Sequence, residues 1–304
     1  MKTNAQVVQK NGQLHVEGTQ LLNSKGENVV LRGMSFGWHN WWPRFYNAET
    51  TQWLVNDWKC SILRIATGVE PDSGFLNRPV WTLKTITPVI EAAIANDIYV
   101  IIDWHSHKIF TEEAKAFFGD MAKKYGEYPN IIYEIYNEPV DDSWQEVKAY
   151  AIEVIKEIRK YDPDNIILVS CPHWDQDIMD VAGDPIQEFN NIMYTVHFYA
   201  ATHKKWLRDR SDSALQKGIP IFISECGETE ASGDGPIDYD EWNTWQNWMD
   251  EHNISWCKWC IADKYETSCV LMPSASSTGH WSNKDLKESG KFIRKVFLSY
   301  SKKE

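Results

Sequence analysis

The sequence predicts an α/β fold, a (β/α)8 TIM barrel preceded by a short N-terminal β-hairpin. Three observations point there. Eight short apolar runs alternate with helical patterns along the chain, and continuous apolar runs suit strands buried on both faces, as in a parallel sheet. No composition break, internal repeat or low-complexity linker divides the 304 residues, and a barrel of about 250 residues with some decoration fills that length. A doubly wound open sheet would carry a glycine-rich phosphate loop after its first strand. The matching loop here, Gly37-Trp38-His39-Asn40-Trp41-Trp42, is aromatic and offers no such cradle. The chain therefore reads as one domain over 1–304, with 1–28 as the hairpin region.

The elements follow in order. Asn11-Gly12 and Ser24-Lys25-Gly26 are turn signals between short alternating runs, so the first thirty residues read as a hairpin or meander. The strands are expected at Val29–Phe36, Ser61–Thr67, Ile98–His105, Ile131–Glu138, Ile166–Cys171, Ile192–Tyr199, Pro220–Cys226 and Ile254–Ala262. Helical periodicity covers Ala48–Trp58, Thr82–Asn96, Thr111–Tyr125, Trp144–Tyr161, Trp206–Lys217, Tyr239–His252 and Asp285–Tyr300. Thr111 followed by two glutamates is an N-terminal signal, and Gly218 a C-terminal stop. Only Trp174–Ala182, after the fifth strand, is too short for a full helix.

Composition excludes several classes. Hydrophobic residues make up 43% and charged residues 24%, which describes a globular chain. A net charge of −12 argues against nucleic acid or an anionic membrane as the main partner. No run of 18 apolar residues exists, so no transmembrane helix is expected. The start, Met1–Gln6, lacks the apolar stretch of a signal peptide, so the protein is either cytoplasmic or missing its leader from this sequence. Six scattered cysteines do not form the dense framework of a small secreted domain. Cys257-Lys258-Trp259-Cys260 sits in a strand-like run and has no second CxxC, so buried free thiols are expected, ahead of one disulfide or a metal site. The unusual number is 16 Trp, as many as Gly. Such an excess fits an aromatic core or a surface that stacks on flat, weakly charged ligands.

A barrel places its chemistry at the C-terminal ends of its strands. Those ends read Arg64, Asp103-Trp104-His105, Asn137-Glu138-Pro139, His197-Phe198-Tyr199, Ser224-Glu225 and Trp259. Glu138 and Glu225 end the fourth and seventh strands and so face each other across the mouth. Two opposed carboxylates are the minimal apparatus for cleaving a glycosidic bond: one protonates the leaving oxygen, the other attacks or activates water. The bland alternative is a buried glutamate paired with a base, as Glu134 is placed to be. Arg64 is the natural cation for Glu225, pairs structurally with Glu134, or does both. Asn137 has an amide for a sugar hydroxyl or for Glu225, Tyr199 an O–H for the nucleophile, and His197 a ring for the acid or a hydroxyl. No HExxH-type pair exists, and His105-Ser106-His107 would need a carboxylate partner and an open position to hold a metal, so neither metal nor cofactor is expected.

These residues resemble glycoside hydrolase family 5, and within it the bacterial endoglucanases (cellulases). The resemblance is carried by Asn137-Glu138-Pro139 after Ile131–Ile135, together with Leu31-Arg32-Gly33-Met34-Ser35, Leu63-Arg64, Asp103-Trp104-His105, His197-Phe198-Tyr199 and Ser224-Glu225. It runs from about Leu14 to Ile293. It implies Glu138 as general acid/base and Glu225 as nucleophile of a retaining pair. The acid then needs a raised pKa, and the nucleophile needs donors or a cation to stay ionised. The resemblance further implies His105 as a contact in the subsite beside the cut and Trp259 as the floor of the reacting subsite. It makes Trp41 the lining of a more distant glycone subsite and Lys264 with Glu266 a polar pair reading hydroxyls. Trp38, Trp42, Trp174 and Trp281 are further loop candidates, whereas Trp53, Trp58, Trp242, Trp245 and Trp248 belong to helical packing faces.

Two departures stand out. Relatives carry a histidine shortly after Met-Ser, where this chain has Gly37 and then His39. They commonly follow the nucleophile with Trp-Gly, where this chain has Cys226-Gly227. The expected activity is retaining endo-hydrolysis of β-1,4-glucan by a secreted or extracellular monomer. The alternatives are a mannanase or a mixed-linkage or xyloglucan hydrolase on the same scaffold, and, from another class, a non-catalytic carbohydrate-binding barrel, for which two intact carboxylates have no use.

Overall fold

A computed structural model describes residues 6–302; the expectation for Met1–Gln6 rests mostly on residues outside that range. Eight parallel strands form the barrel: β1 (Arg32–Phe36), β2 (Ile62–Gly68), β3 (Tyr99–His105), β4 (Ile131–Glu134), β5 (Ile166–Val169), β6 (Ile192–Thr195), β7 (Ile221–Gly227) and β8 (Trp256–Ile261). Each pairs in parallel with the next, and β8 pairs with both β7 and β1, which closes the ring. The two-residue piece Phe198–Tyr199 continues β6 along the upper part of β7. Between the strands run α1 (Ala48–Asn56), α2 (Pro79–Ala95), α3 (Thr111–Tyr125), α4 (Trp144–Ile158), the short α5 (Ile178–Gly183), α6 (Lys205–Gln216) and α7 (Tyr239–Glu251), with α8 (Glu288–Tyr300) after β8. Among the described residues no helix is long and apolar enough to cross a membrane.

The N-terminal segment differs from expectation in one turn. Asn11-Gly12 ends a short helix, Val7–Asn11, instead of joining two strands. Gly12 sits at φ +67° and returns its N–H to Val8 O, a left-handed helix stop that glycine adopts without steric cost. The hairpin itself pairs His15–Glu17 with Gln20–Leu22. Thr111 is the first helical residue of α3 and does not cap it; Glu112 and Glu113 in its first turn complement the helix dipole. The capping box occurs instead at Ser143 and Glu146, which open α4.

Side chains on a strand alternate between faces. The outward set, including Leu63, Ile65, Val100, Ile102, Ile167, Tyr194 and Trp256, packs with the helices into the large outer core. Trp58, Trp242, Trp245 and Trp248 belong to that core, which absorbs much of the tryptophan excess. The inward set divides by height. Its lower layer is apolar: Ile62, Tyr99, Ile101, Ile132, Leu168, Met193, Phe222 and Cys257, sealed from below by Leu14, Leu21, Val29 and Leu31. Two residues further along the same strands stand Arg64, Asp103, Glu134 and Ser224, all fully buried.

Candidate active site

The upper layer is organised around one guanidinium. Arg64 donates from Nε to Glu134 Oε2 (2.7 Å), from Nη2 to Glu134 Oε1 (3.0 Å), from Nη2 to Asn137 Oδ1 (2.7 Å) and from Nη1 to Glu225 Oε2 (2.8 Å). Asp103 Oδ2 lies 3.1 Å from Nη2. Both readings of Arg64 therefore hold at once: it braces Glu134 inside the barrel and faces Glu225 at the mouth. Three carboxylates around a buried cation are tolerable only because each is held by specific donors; Ser224 O–H also donates to Glu134 (2.7 Å).

Glu225 faces inward through a local irregularity. The β7–β8 register shifts between Ile223 and Cys226. The bulge lets two successive residues, Ser224 and Glu225, turn into the barrel, while Ile223 and Cys226 point to the outer core. Tyr199 O–H donates to Glu225 Oε1 at 2.7 Å. Glu138 is reached differently. The β4 ladder stops at Glu134, short of the expected Glu138, because Ile135 and Tyr136 both join the outer core. The extension is then carried by backbone bonds to the chain at and beyond the end of β3: Asn137 N–H to Trp104 O (3.0 Å) and Glu138 N–H to Ser106 O (3.2 Å).

The Glu138 carboxylate meets two imidazoles, His197 Nδ1 at 2.9 Å from Oε1 and His107 Nε2 at 3.4 Å from Oε2. His197 is held from behind by Ser224 (Nε2 to Oγ, 2.9 Å) and lies 3.3 Å from Asp175. Asp175 ends a run of three left-handed residues, His173 (φ 61°), Trp174 (φ 54°) and Asp175 (φ 58°). Consecutive non-glycine residues in that region are strained, and such strain concentrates at functional sites. Here the run brings Asp175 beneath His197 and Trp174 into the cleft, where Trp174 N–H bonds Pro139 O (2.9 Å).

A cleft of about 510 Å³ opens above these groups, lined by Glu138, Glu225, His197, Tyr199, His105, Trp259, Lys264 and Glu266, and also by Trp38, His107, Trp174 and His203. His105 stacks on Trp259 (centroids 5.2 Å apart, 5° between planes) and bonds Asp103 through Nδ1 (2.7 Å). Lys264 and Glu266 form an ion pair on the far rim. Asn137 Nδ2 is buried and has no partner among the described residues. Trp41 is exposed in the loop after β1, packed at a tilt against Trp38 (centroids 4.7 Å apart, 36° between planes), outside the residues that line this cleft. Trp281 and Trp42 serve packing. His39 is withdrawn altogether: it is buried between Thr82 Oγ1 (2.9 Å) and the Gly68 N–H (2.9 Å). The six cysteines are buried free thiols, and Cys226 lies in the outer core away from Glu225.

The electrostatics correct the expected order of acidities. Burial alone raises both carboxyls. At Glu138 the hydrogen bonds and charges of His107 and His197 outweigh it and hold the carboxyl below the ordinary range. At Glu225 burial, with the charge of Glu138 added, wins over the pull of Arg64 and raises the carboxyl. Arg64 is less effective than expected because Asp103 and Glu134 share it. His197 is raised well above a free imidazole, because Asp175, Glu134 and Glu138 overcome its burial. The free cleft thus sets raised imidazoles beside a lowered Glu138 carboxyl, with the Glu225 carboxyl raised across from it. Glu138, His197 and Glu225 each place a ligand atom within 4.8 Å of the others, a set that a cation would fit geometrically. All three already satisfy one another or Arg64, Tyr199 and Ser224.

A closed barrel with paired carboxylates and an aromatic cleft at its C-terminal mouth is the arrangement of a glycoside-cleaving enzyme. The chain matches the family described as Cellulase (glycosyl hydrolase family 5) over residues 22–265, and it belongs to that family. It is 40% identical over 301 residues to an endoglucanase of Clostridium saccharobutylicum, covering 97% of this chain and 67% of the relative. It is 42% identical over 292 residues to endoglucanase Z of Dickeya dadantii, covering 94% and 66%. The chain thus spans about two thirds of these relatives, and 58% of endoglucanase 5 of Pectobacterium carotovorum. A solved structure from Cytophaga hutchinsonii superposes with a TM-score of 0.95 at 45% identity, covering 97% of both chains. The catalytic domain of a Thermobifida fusca endoglucanase, solved in complex with cellotetraose, superposes at 0.90 with 32% identity, covering 96% of this chain and 99% of that one.

The sequence missed four contributors. In the sequence His107 reads only as half of a metal-ligand couple, whereas the fold sets its ring against Glu138. Its spacing from His105 was the available signal. Glu70, which accepts the His107 backbone N–H (2.6 Å), Asp175 behind His197, and His203, whose Nδ1 accepts the Tyr199 backbone N–H (2.8 Å), carried none, because their places depend on how loops fold back over the mouth.

Proposed function

We propose that this chain is a retaining endo-β-1,4-glucanase that cleaves internal bonds of cellulose-like β-glucans by double displacement. The observation that carries the reading is the approach of Glu138 and Glu225, with carboxylate oxygens inside 4.8 Å of each other. Retaining pairs stand about 5–5.5 Å apart, whereas inverting pairs need roughly 6.5–9.5 Å to admit a water. The cellulase family, the endoglucanase relatives and a cellotetraose-bound neighbour support the substrate class. A polymer of that kind is met outside the cell, which supports a secreted enzyme.

In the first step Glu138 gives a proton to the leaving glycosidic oxygen while Glu225 attacks the anomeric carbon. Arg64 and Tyr199 hold one Glu225 oxygen each and fix the angle of attack. Protonation of Glu138 removes a charge that had raised Glu225, so the same event prepares the acid and frees the nucleophile. In the second step Glu138 takes a proton from water, which releases the sugar with its original configuration. The unpartnered Asn137 amide suits the 2-hydroxyl, and Trp259 backed by His105 offers the apolar face on which a pyranose stacks. A hydrolysis panel of carboxymethyl cellulose, lichenan, xyloglucan, glucomannan and xylan, with NMR of the first-formed anomer, tests the proposal. Cellulose derivatives should lead the panel and the product should be β. An α product would reject double displacement, and a preference for glucomannan would move the substrate to mannans.

A further inference from the structure

Glu138 carries two imidazoles, and only His197 is enclosed behind it. His107 stands on the other oxygen, with its side chain 37% exposed at the cleft rim against 2% for His197. Its placement is built. Glu70, just beyond β2, accepts the His107 backbone N–H (2.6 Å) and the Ser106 O–H (3.0 Å) on one oxygen. Ser106 O in turn accepts the Glu138 N–H (3.2 Å), so one short turn anchors both the backbone of Glu138 and the ring facing its carboxylate. Trp38 covers the ring in a stacked contact (5.7 Å, 27°).

We propose that His107 is a positioning residue that holds, between turnovers, the proton Glu138 delivers. The proposal rests on Glu138 being the acid/base. The pair begins as imidazolium beside carboxylate. Nε2–H passes its proton to Oε2, leaving neutral imidazole beside a carboxylic acid, and the acid then protonates the leaving oxygen. In the second step Glu138 takes the proton of water and returns it to His107, so the cycle balances. The surroundings agree. Burial lowers His107, but Glu138, Glu70 and Glu225 outweigh it and raise the ring above its ordinary value. His105 is held well below the ordinary imidazole value by burial and by Arg64, and so faces His107 uncharged. On the other side Glu138 meets His197, which is charged, Asp175, which burial raises, and His203, which burial holds at about 4. The pair therefore loses its proton at the raised imidazole value instead of that of a lone carboxyl, which extends activity to higher pH.

The test compares His107→Asn and His107→Ala on two substrates, an unactivated β-1,4-gluco-oligosaccharide and an aryl β-cellobioside with an acidic phenol, whose departure needs little protonation. Both variants should lose about tenfold or more in kcat/KM on the oligosaccharide. The alkaline limb of the profile should move to lower pH by about one unit. On the aryl substrate kcat/KM should stay within about threefold. Asparagine keeps a donor but carries no proton, so recovery of the wild-type limb by His107→Asn would overturn the relay, as would equal losses on both substrates. Glu138→Ala, run in parallel, separates the two claims. If it keeps oligosaccharide activity, the acid/base reading fails. If it loses that activity while His107→Asn matches wild type, only the relay fails.

Discussion

The lower and upper halves of the barrel interior are made by the same strands, and they obey opposite rules. Ile62, Ile101, Ile132 and Phe222 fill the lower layer with hydrocarbon. Arg64, Asp103, Glu134 and Ser224, each two residues further on, fill the upper one with charge and hydrogen bonds. In the lower layer the Tyr99 hydroxyl carries a polar bond, to Gly12 O (2.7 Å), and the aliphatic side chains need no partner. In the upper layer every group depends on several others, and some atoms remain without a partner among the described residues, as at Asn137 Nδ2 and Asp103 Oδ1. The lower layer is therefore a source of stability, and the upper layer holds charge in a form available to a ligand at some cost in stability.

That contrast can be broken by paired substitutions. The largest effect is expected for Glu225→Gln, which should remove more than the roughly 10²–10⁴-fold that a general acid contributes. Its thermal midpoint should be equal to wild type or higher, since a buried charge has gone. A clean preparation with near-wild-type rates would end the proposed mechanism, and a large fall in midpoint would contradict the view of the upper layer. Leu168→Ala in the lower layer should do the reverse, costing about 2–5 kcal/mol in denaturant unfolding while leaving kcat per folded molecule unchanged. A changed kcat would mean the two layers are coupled more tightly than their packing suggests.

Smaller effects sharpen the same division. Trp259→Ala should weaken transition-state binding by roughly 1–3 kcal/mol, the scale of aromatic stacking on flat rings, read as kcat/KM on cello-oligosaccharides. An unchanged value would remove Trp259 from the cleft floor. His39 belongs with the structural half in spite of its place in the first loop. Burial holds it at about 4 in the fold, against about 6.5 unfolded, so the unfolded chain binds the extra proton between those values. Stability should therefore fall as pH drops from about 6.5 towards 4, by up to roughly 3 kcal/mol from this group. His39→Gln should flatten that part of the stability–pH curve in urea titrations, and an unaltered slope would show that other groups set it.

Much of this was legible in the chain. The eight apolar runs gave the barrel because a strand buried on both faces has no polar position to spare, and the strand ends broke that rule only where the mouth would lie. Arg64, Glu138, His197, Tyr199 and Glu225 stood out for that reason, and the structure brings them together around one cleft. Helix ends moved by a few residues, since fraying and capping depend on local competition. Trp41 sits in the first loop as its position in the sequence implies, and its tilt against Trp38 is a contact that a row of aromatics does not specify.

What the sequence determined by itself was periodic and local: the alternation of strands and helices, the inward period of two, and the residue types ending each strand. Only the tertiary structure decided the rest. A bulge between Ile223 and Cys226 turned Glu225 inward beside Ser224. A left-handed run carried Asp175 beneath His197, and Glu70 pinned His107 against Glu138. The order of acidities, low at Glu138 and raised at Glu225, followed from those placements. The physical reason is range. Backbone periodicity is fixed by neighbours in the chain, whereas the proton affinity of a buried carboxyl is set by whichever charges the fold brings within a few ångströms, and those come from strands far apart in sequence.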